Sequence, residues 1–164
     1  KMDKLQWIQN KMRDREQLLR QCNIWRSFGK KIVFTNGCFD ILHYGHLHLV
    51  AAAANLGNVL VVGINSDASV KRLKGEDRPI NHEQERMFQM ASLLCTDAVC
   101  LFEEDTPEEL IKTIRPDVLV KGGDYTIENI VGADFVQSYG GTVSIIPFVE
   151  GYSTSATIAS IKKL

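Results

Sequence analysis

Apolar residues follow two different spacings along this chain. Across residues 2–28, Leu5, Ile8, Met12, Leu18, Leu19, Cys22 and Trp25 stand among charges three or four positions apart, which predicts one or two amphipathic helices ending at Gly29. Short apolar runs then take over: Ile32-Val33-Phe34 and residues 58–64, 98–102, 117–120 and 142–146 have the length of buried strands. Helical stretches separate them. Residues 47–56 are alanine-rich, 66–73 form a shorter segment, and 83–94 follow an Asn81-x-x-Gln84 capping box. Thr106-Pro107-Glu108-Glu109 has the cap, N1 proline and acidic first turn of a helix start, and residues 153–163 supply a last helix.

Strands that are apolar on both faces and separated by helices predict a parallel sheet, because parallel neighbours need crossover connections and are covered on both sides. The expected fold is α/β: a Rossmann-like, doubly wound, five-stranded parallel sheet with helices on both faces, residues 31–164. A helical extension, residues 1–30, precedes it within what is a single domain overall. Ligands of such sheets bind at the carboxyl ends of the strands, so the loops after Phe34, Ile64, Val120 and Ile146 should converge on one crevice.

Composition narrows the function. With 45% hydrophobic and 24% charged residues, the 164-residue chain has the make-up of a soluble globular protein. Nineteen basic against twenty acidic residues leave a net charge of -1, without the basic excess of a protein that grips nucleic acid by its phosphates. No apolar run approaches a membrane span and no secretory h-region appears, so neither nucleic acid nor membrane is an expected partner and a cytoplasmic location is expected. Cys22, Cys38, Cys95 and Cys100 have no CxxC spacing, which predicts reduced structural thiols. Neither a GxxxxGK[ST] nor a GxGxxG motif is present.

The first loop is the most informative. His43 and His46 flank Gly45 where a helix follows the first strand, a place that favours anions and lets two imidazoles donate to phosphate oxygens. A histidine at a helix start is also commonly a cap or a surface residue, and spacing alone leaves both readings open. The stretch Gly37, Phe39, Asp40, His43, Gly45 and His46 resembles the GxFDxxHxGH signature of the cytidylyltransferase-like nucleotidyltransferase superfamily. A second signature, a hydroxyl-rich opening of the last helix, is matched by Ser153-Thr154-Ser155, with Ser155 where the family commonly has threonine.

Together with residues 62–75, Asp77-Arg78-Pro79-Ile80-Asn81 and 118–125, these segments resemble the ADP-heptose synthase family, adenylyltransferases acting on D-glycero-β-D-manno-heptose 1-phosphate. The resemblance implies AMP transfer from ATP with release of pyrophosphate, in lipopolysaccharide inner-core synthesis. It implies His43, His46, Lys121 and Thr154 as catalytic residues. For ATP it implies Asn36, Gly37, Cys38, Phe39, Asp40 and Gly45 from the first loop, and Asn65, Gly122, Asp124, Ser153 and Ser155 elsewhere. Lys71, Lys74, Arg78 and Arg86 are expected to meet the sugar phosphate, although Lys71 and Lys74 could equally be a solvated helix face and Arg86 could pair with Glu83 or Glu85. No residue is assigned to a metal. Mg²⁺ is expected with ATP, a homodimer is suggested by the family, and the sugar kinase of many relatives would be a separate or removed domain. Two alternatives remain: a glycerol-3-phosphate or ethanolamine-phosphate cytidylyltransferase, against which Phe148 stands where the former typically carry arginine, and a non-catalytic nucleotide-binding module.

Overall fold

The structure, a computed structural model, describes residues 3–164; Lys1 and Met2, at the head of the expected extension, lie outside the described residues. Five strands form one all-parallel sheet: β1 (Ile32–Gly37), β2 (Val59–Asn65), β3 (Ala98–Phe102), β4 (Val118–Gly122) and β5 (Thr142–Ile146). Their order is β3-β2-β1-β4-β5. The chain starts in the centre, winds outward to β3, then returns to lay β4 on the other side of β1. The winding therefore reverses between β1 and β4, which opens a crevice at their carboxyl ends.

Strand periodicity creates two cores. Ile32, Phe34, Val59, Val61, Cys100 and Leu119 face one way, packing under α2 (Arg15–Ser27), α6 (Glu108–Ile114) and α7 (Ala133–Ser138). Val33, Leu60, Val62, Ile64, Val99 and Val120 face the other, under α3 (Tyr44–Ala54) and α5 (Glu83–Ala91). Most of these side chains are fully buried, and each contributes on the order of 1.5–3 kcal/mol by leaving water. Two further helices, α1 (Lys4–Gln9) and α4 (Asp67–Lys74), flank the β3 side, and α8 (Thr154–Ile161) follows β5. The segment between α1 and α2 pairs along the outer edge of β3: the Arg13 amide donates to the Val99 carbonyl at 2.9 Å and the Val99 amide to the Lys11 carbonyl at 2.8 Å. This covers part of an otherwise open strand edge.

Three local expectations are corrected. Helix α3 begins at Tyr44 rather than at residue 47, with His43 as its N-cap. The cap of α5 is His82, whose amide donates to Glu85, because Asn81 is committed to Asp40. Pro107 occupies the N-cap of α6, leaving Thr106 in the preceding loop. The six-residue α7 and the 3-10 turn at Ile127–Asn129 had no counterpart in the sequence reading; each is shorter than the two helical turns that periodicity needs.

Candidate active site

A cavity of about 860 Å³ lies across the carboxyl ends of the sheet. That is within the range of small-molecule sites. Its centre is the loop leaving β1. Phe39 adopts a left-handed backbone conformation, φ 47°, so that its ring folds back into the core. A Cβ on Gly37 would lie 3.0 Å from that ring, which is why the glycine precedes it. Asp40 then turns inward and accepts from Arg78 Nε at 2.6 Å and from the amides of Ile80 (2.8 Å) and Asn81 (2.8 Å). Burial pushes the Asp40 carboxyl up, but the amides of Asn81 and Ile80 and the Arg78 guanidinium outweigh it and hold its pKa below the ordinary value.

The two histidines come next. Their rings stack with centroids 3.7 Å apart, and Phe39 meets His46 edge-on at 5.2 Å. Gly45 makes the stack possible, since a Cβ there would lie 2.9 Å from His43 Cε1. Burial lowers the pKa of His43; burial and then the neighbouring His43 push His46 down to about 4, against a partial opposing contribution from the Ile41 backbone. Both rings are therefore neutral near pH 7, and each has a buried Nδ1 without a hydrogen-bond partner. Buried nitrogens beside a cavity that the surrounding side chains leave without a partner are open to a hydrogen bond from outside the protein.

Facing them is the start of α8. Ser153 caps it, its hydroxyl accepting from the Ala156 amide at 3.1 Å, and Ser153, Thr154 and Ser155 all line the cavity. Tyr152 rests against Tyr44 at 5.1 Å, so the N-termini of α3 and α8 meet at one place and their free amides favour an anion there. Lys121, at the end of β4, is half-buried with its ammonium 5.3 Å from the Tyr125 ring centre. Burial lowers its pKa, Cys38 opposing and Lys74 adding to the shift, as expected of a cation short of solvent and of a counter-charge. Lys74 and Arg78 reach the same cavity. The chemistry this arrangement suits is binding and stabilising a polyphosphate.

Comparison with known proteins agrees. A family model described as cytidylyltransferase-like matches residues 34–156, most of the chain. The chain belongs to the cytidylyltransferase-like family. It is 55% identical over 152 residues to the bifunctional protein HldE of Trichlorobacter lovleyi, and the match covers 93% of this chain and 31% of that protein. The bifunctional protein HldE of Geobacter metallireducens is 59% identical over 133 residues, covering 81% of this chain and 27% of the relative. The chain thus spans about a third of the length of these relatives. Among solved structures, a lipopolysaccharide core biosynthesis protein from Thermoplasma volcanium superposes with a TM-score of 0.60 at 30% identity, covering 76% of this chain and 100% of that one. A pantoate-beta-alanine ligase from Francisella tularensis gives a TM-score of 0.61 at 16% identity over 93% of this chain and 79% of its own, a likeness of fold.

Within this family member the cavity brings together most of the residues singled out in the sequence. His43, His46, Lys121 and Thr154 line it, as do Asn36, Gly37, Cys38, Phe39, Asp40, Gly45, Asn65, Gly122, Ser153 and Ser155. Asp40 and Phe39 act there as supports, because the Asp40 carboxylate is occupied by Arg78, Ile80 and Asn81 and the Phe39 ring is in the core. Three of the assigned residues are not among those lining it. Arg86 is fully buried and donates to the carbonyls of Cys38 (2.7 Å), Asn65 (2.8 Å) and Asn81 (3.0 Å) and to Asp67 (2.8 Å), which leaves its guanidinium to hold the ends of β1 and β2 together rather than to meet a phosphate. Lys71, on α4, and Asp124, after β4, are exposed and do not line the cavity, although Lys74 and Tyr125 close by do. The sequence reading overlooked the wall formed by Asp105 and Thr106, and the aromatic rim of Tyr125 and Phe148. Phe148 is exposed and lies against Gly123, whose φ is +119°, and nothing in the sequence spacing signals that rim.

Among the described residues no three His, Cys, Asp or Glu side chains stand close enough to form a metal cage. A Mg²⁺ ion that arrives on a triphosphate keeps several waters and needs one or two carboxylates at most, so the donor set here fits an ion carried by the nucleotide better than one resident in the protein. Among the described residues no helix is long and apolar enough to cross a membrane.

Proposed function

We propose that the chain is a nucleotidyltransferase that transfers AMP from ATP to D-glycero-β-D-manno-heptose 1-phosphate, giving ADP-heptose and pyrophosphate for lipopolysaccharide inner-core synthesis. The observation that carries the reading is the neutral, stacked His43–His46 pair set between two converging helix N-termini, with Lys121 beside it. Identity of 55% to a bifunctional protein HldE, and the fold shared with a lipopolysaccharide core biosynthesis protein, support the choice of acceptor.

In the proposed reaction an oxygen of the acceptor phosphate attacks the α-phosphorus in line, a new P–O–P bridge forms, and the bond from the α-phosphorus to the bridging oxygen of pyrophosphate breaks. The acceptor oxygen is already anionic and needs no strong base, so positioning and charge stabilisation carry the rate. His43 and His46 donate neutral N–H groups to the leaving phosphates, Thr154 and the α8 amides hold the same group, and Lys121 gains its missing counter-charge at the α-phosphate. Mg²⁺ bound to the triphosphate supplies further neutralisation of charge. Lys74 and Arg78 receive the acceptor phosphate. ATP and a sugar 1-phosphate are the substrates, a sugar kinase in a separate or removed domain contributes to supplying the latter, and the cytoplasm is the compartment that offers both.

Pyrophosphate release tests this with ATP and the heptose phosphate beside parallel reactions with CTP and with glycerol 3-phosphate. Release confined to the first pair supports it; release with CTP moves the chain to the cytidylyltransferase branch.

A further inference from the structure

The loop between β3 and α6, residues 103–107, has no task in the reaction just described, yet Asp105, Thr106 and Pro107 form part of the cavity wall. Two helices fix it. Arg15, at the start of α2, pairs with both oxygens of Glu104 at 2.9 and 3.0 Å. The Ser69 hydroxyl of α4 donates to the Glu104 carbonyl at 3.1 Å. One turn on, Arg72 donates from Nε to Asp105 Oδ1 at 2.7 Å and from Nη2 to the Glu103 carbonyl. The loop is held, but polar atoms of the two side chains it sets on the cavity, Asp105 and Thr106, stay open. Asp105 Oδ2 and the Thr106 hydroxyl make no hydrogen bond among the described residues, and the Asp105 side chain is 63% exposed.

A constrained loop that leaves two polar groups open on a cavity is organised in advance for a hydrogen-bonding ligand. The chemistry of these groups says which kind. Ionised Asp105 only accepts, whereas a threonine hydroxyl donates or accepts, so the pair suits hydroxyl groups. A phosphate would find no donor in the Asp105 carboxylate. A cation is not called for, because Arg72 already balances the carboxylate. Leu73 and Pro107, also on this wall, offer apolar surface to the carbon face of a sugar ring.

The position agrees with that chemistry. The phosphate-handling groups lie over β1, β4 and β5, whereas β3 is the outer strand on the opposite side. Neighbouring strands are about 4.8 Å apart, so this loop stands roughly 10 Å from the β1 loop, with Lys74 and Arg78 lining the cavity as well. An acceptor with its phosphate at those cations would carry its hydroxylated body toward Asp105 and Thr106.

We propose that Asp105 and Thr106 read the hydroxyl groups of a polyol-phosphate acceptor and so set acceptor selectivity. This deepens the proposed function and rests on the acceptor being a sugar phosphate. The test is steady-state pyrophosphate release by the whole chain and by Asp105→Ala, Asp105→Asn and Thr106→Val, with the heptose phosphate and with analogues that each lack one hydroxyl. The KM for the heptose phosphate should rise about tenfold or more in Asp105→Ala, as for loss of a hydrogen bond to a charged group, while the KM for ATP stays within about twofold. Asp105→Asn keeps an oxygen for Arg72 but offers the hydroxyl a neutral amide donor in place of the charged acceptor Oδ2, so a rise there, smaller than in Asp105→Ala, reports hydroxyl reading rather than a collapsed loop. For one analogue, wild type and variant should converge, since the hydroxyl and its partner are then both gone. Unchanged acceptor KM in all three variants, or an equal deficit with every analogue, overturns the proposal and leaves the proposed function intact. A wild type that turns over no sugar phosphate overturns both.

Discussion

At the residue scale the site depends on keeping two imidazoles neutral, stacked and undersupplied with hydrogen bonds. His46→Ala should fold as wild type by circular dichroism and lose about a hundredfold to a thousandfold in turnover, the usual cost of removing one donor that acts on developing charge. Wild-type turnover in that variant would remove the histidine from the mechanism. Gly45→Ala places a Cβ 2.9 Å from His43 Cε1 and so tests the stack itself. Its kcat should fall at least about tenfold, since small misplacements of catalytic groups are costly, with the melting temperature little changed. Acid titration gives a third check. The folded pKa of His46, about 4, lies below the unfolded value near 6.5, so the unfolded chain takes up the proton first. The contribution is fully present above pH 6.5 and is lost as the pH falls from there toward 4. The drop in melting temperature between pH 7 and pH 5 should therefore be smaller in His46→Gln than in wild type, and NMR titration should find the His46 pKa raised when ATP is bound.

At the element scale the supports of the site matter as much as its donors. Arg86 joins the carbonyls at the ends of β1 and β2 to the segment behind Asp40. Arg86→Met should destabilise the fold by about 3 kcal/mol or more in urea unfolding, because the buried Asn65 carbonyl, the part-buried Cys38 and Asn81 carbonyls and Asp67 lose their donor. A change below about 1 kcal/mol would contradict the clamp. This residue also marks where sequence reading runs out. A lone arginine at a helical position looks the same whether it faces solvent, a phosphate or three backbone carbonyls, and only the tertiary path of Cys38 and Asn65 decides. Strands were legible because four of them are apolar runs largely buried on both faces, and although β5, at the sheet edge, is only part-buried, β3 and β5 were read with their observed limits. Helix starts were less so: Asn81 has the chemistry of a cap but spends it on Asp40, which moves the cap of α5 to His82.

At the scale of the whole molecule, the reversal of winding between β1 and β4 turns scattered loops into one site. Residues 37–46 and 153–155 were legible because each resembles a signature contiguous in sequence, and the fold sets both on one cavity. The β3 wall was not legible, since Asp105 and Thr106 read as the approach to a helix cap until the sheet order places them on the cavity rim. The outer edge of β3 also depends on a distant segment, residues 11–13. Removing residues 1–13 should bare that edge and promote self-association, visible as a rise in light scattering at unchanged concentration; a monodisperse truncated protein would contradict that role.

The central claim is adenylyl transfer through the histidine pair, and one measurement reaches it most directly: pyrophosphate release from ATP and D-glycero-β-D-manno-heptose 1-phosphate by wild type and His46→Ala side by side. The account predicts release by the wild type that requires both substrates and falls at least about a hundredfold in the variant. Equal release by the two proteins, or none by the wild type while it still binds ATP, would contradict it.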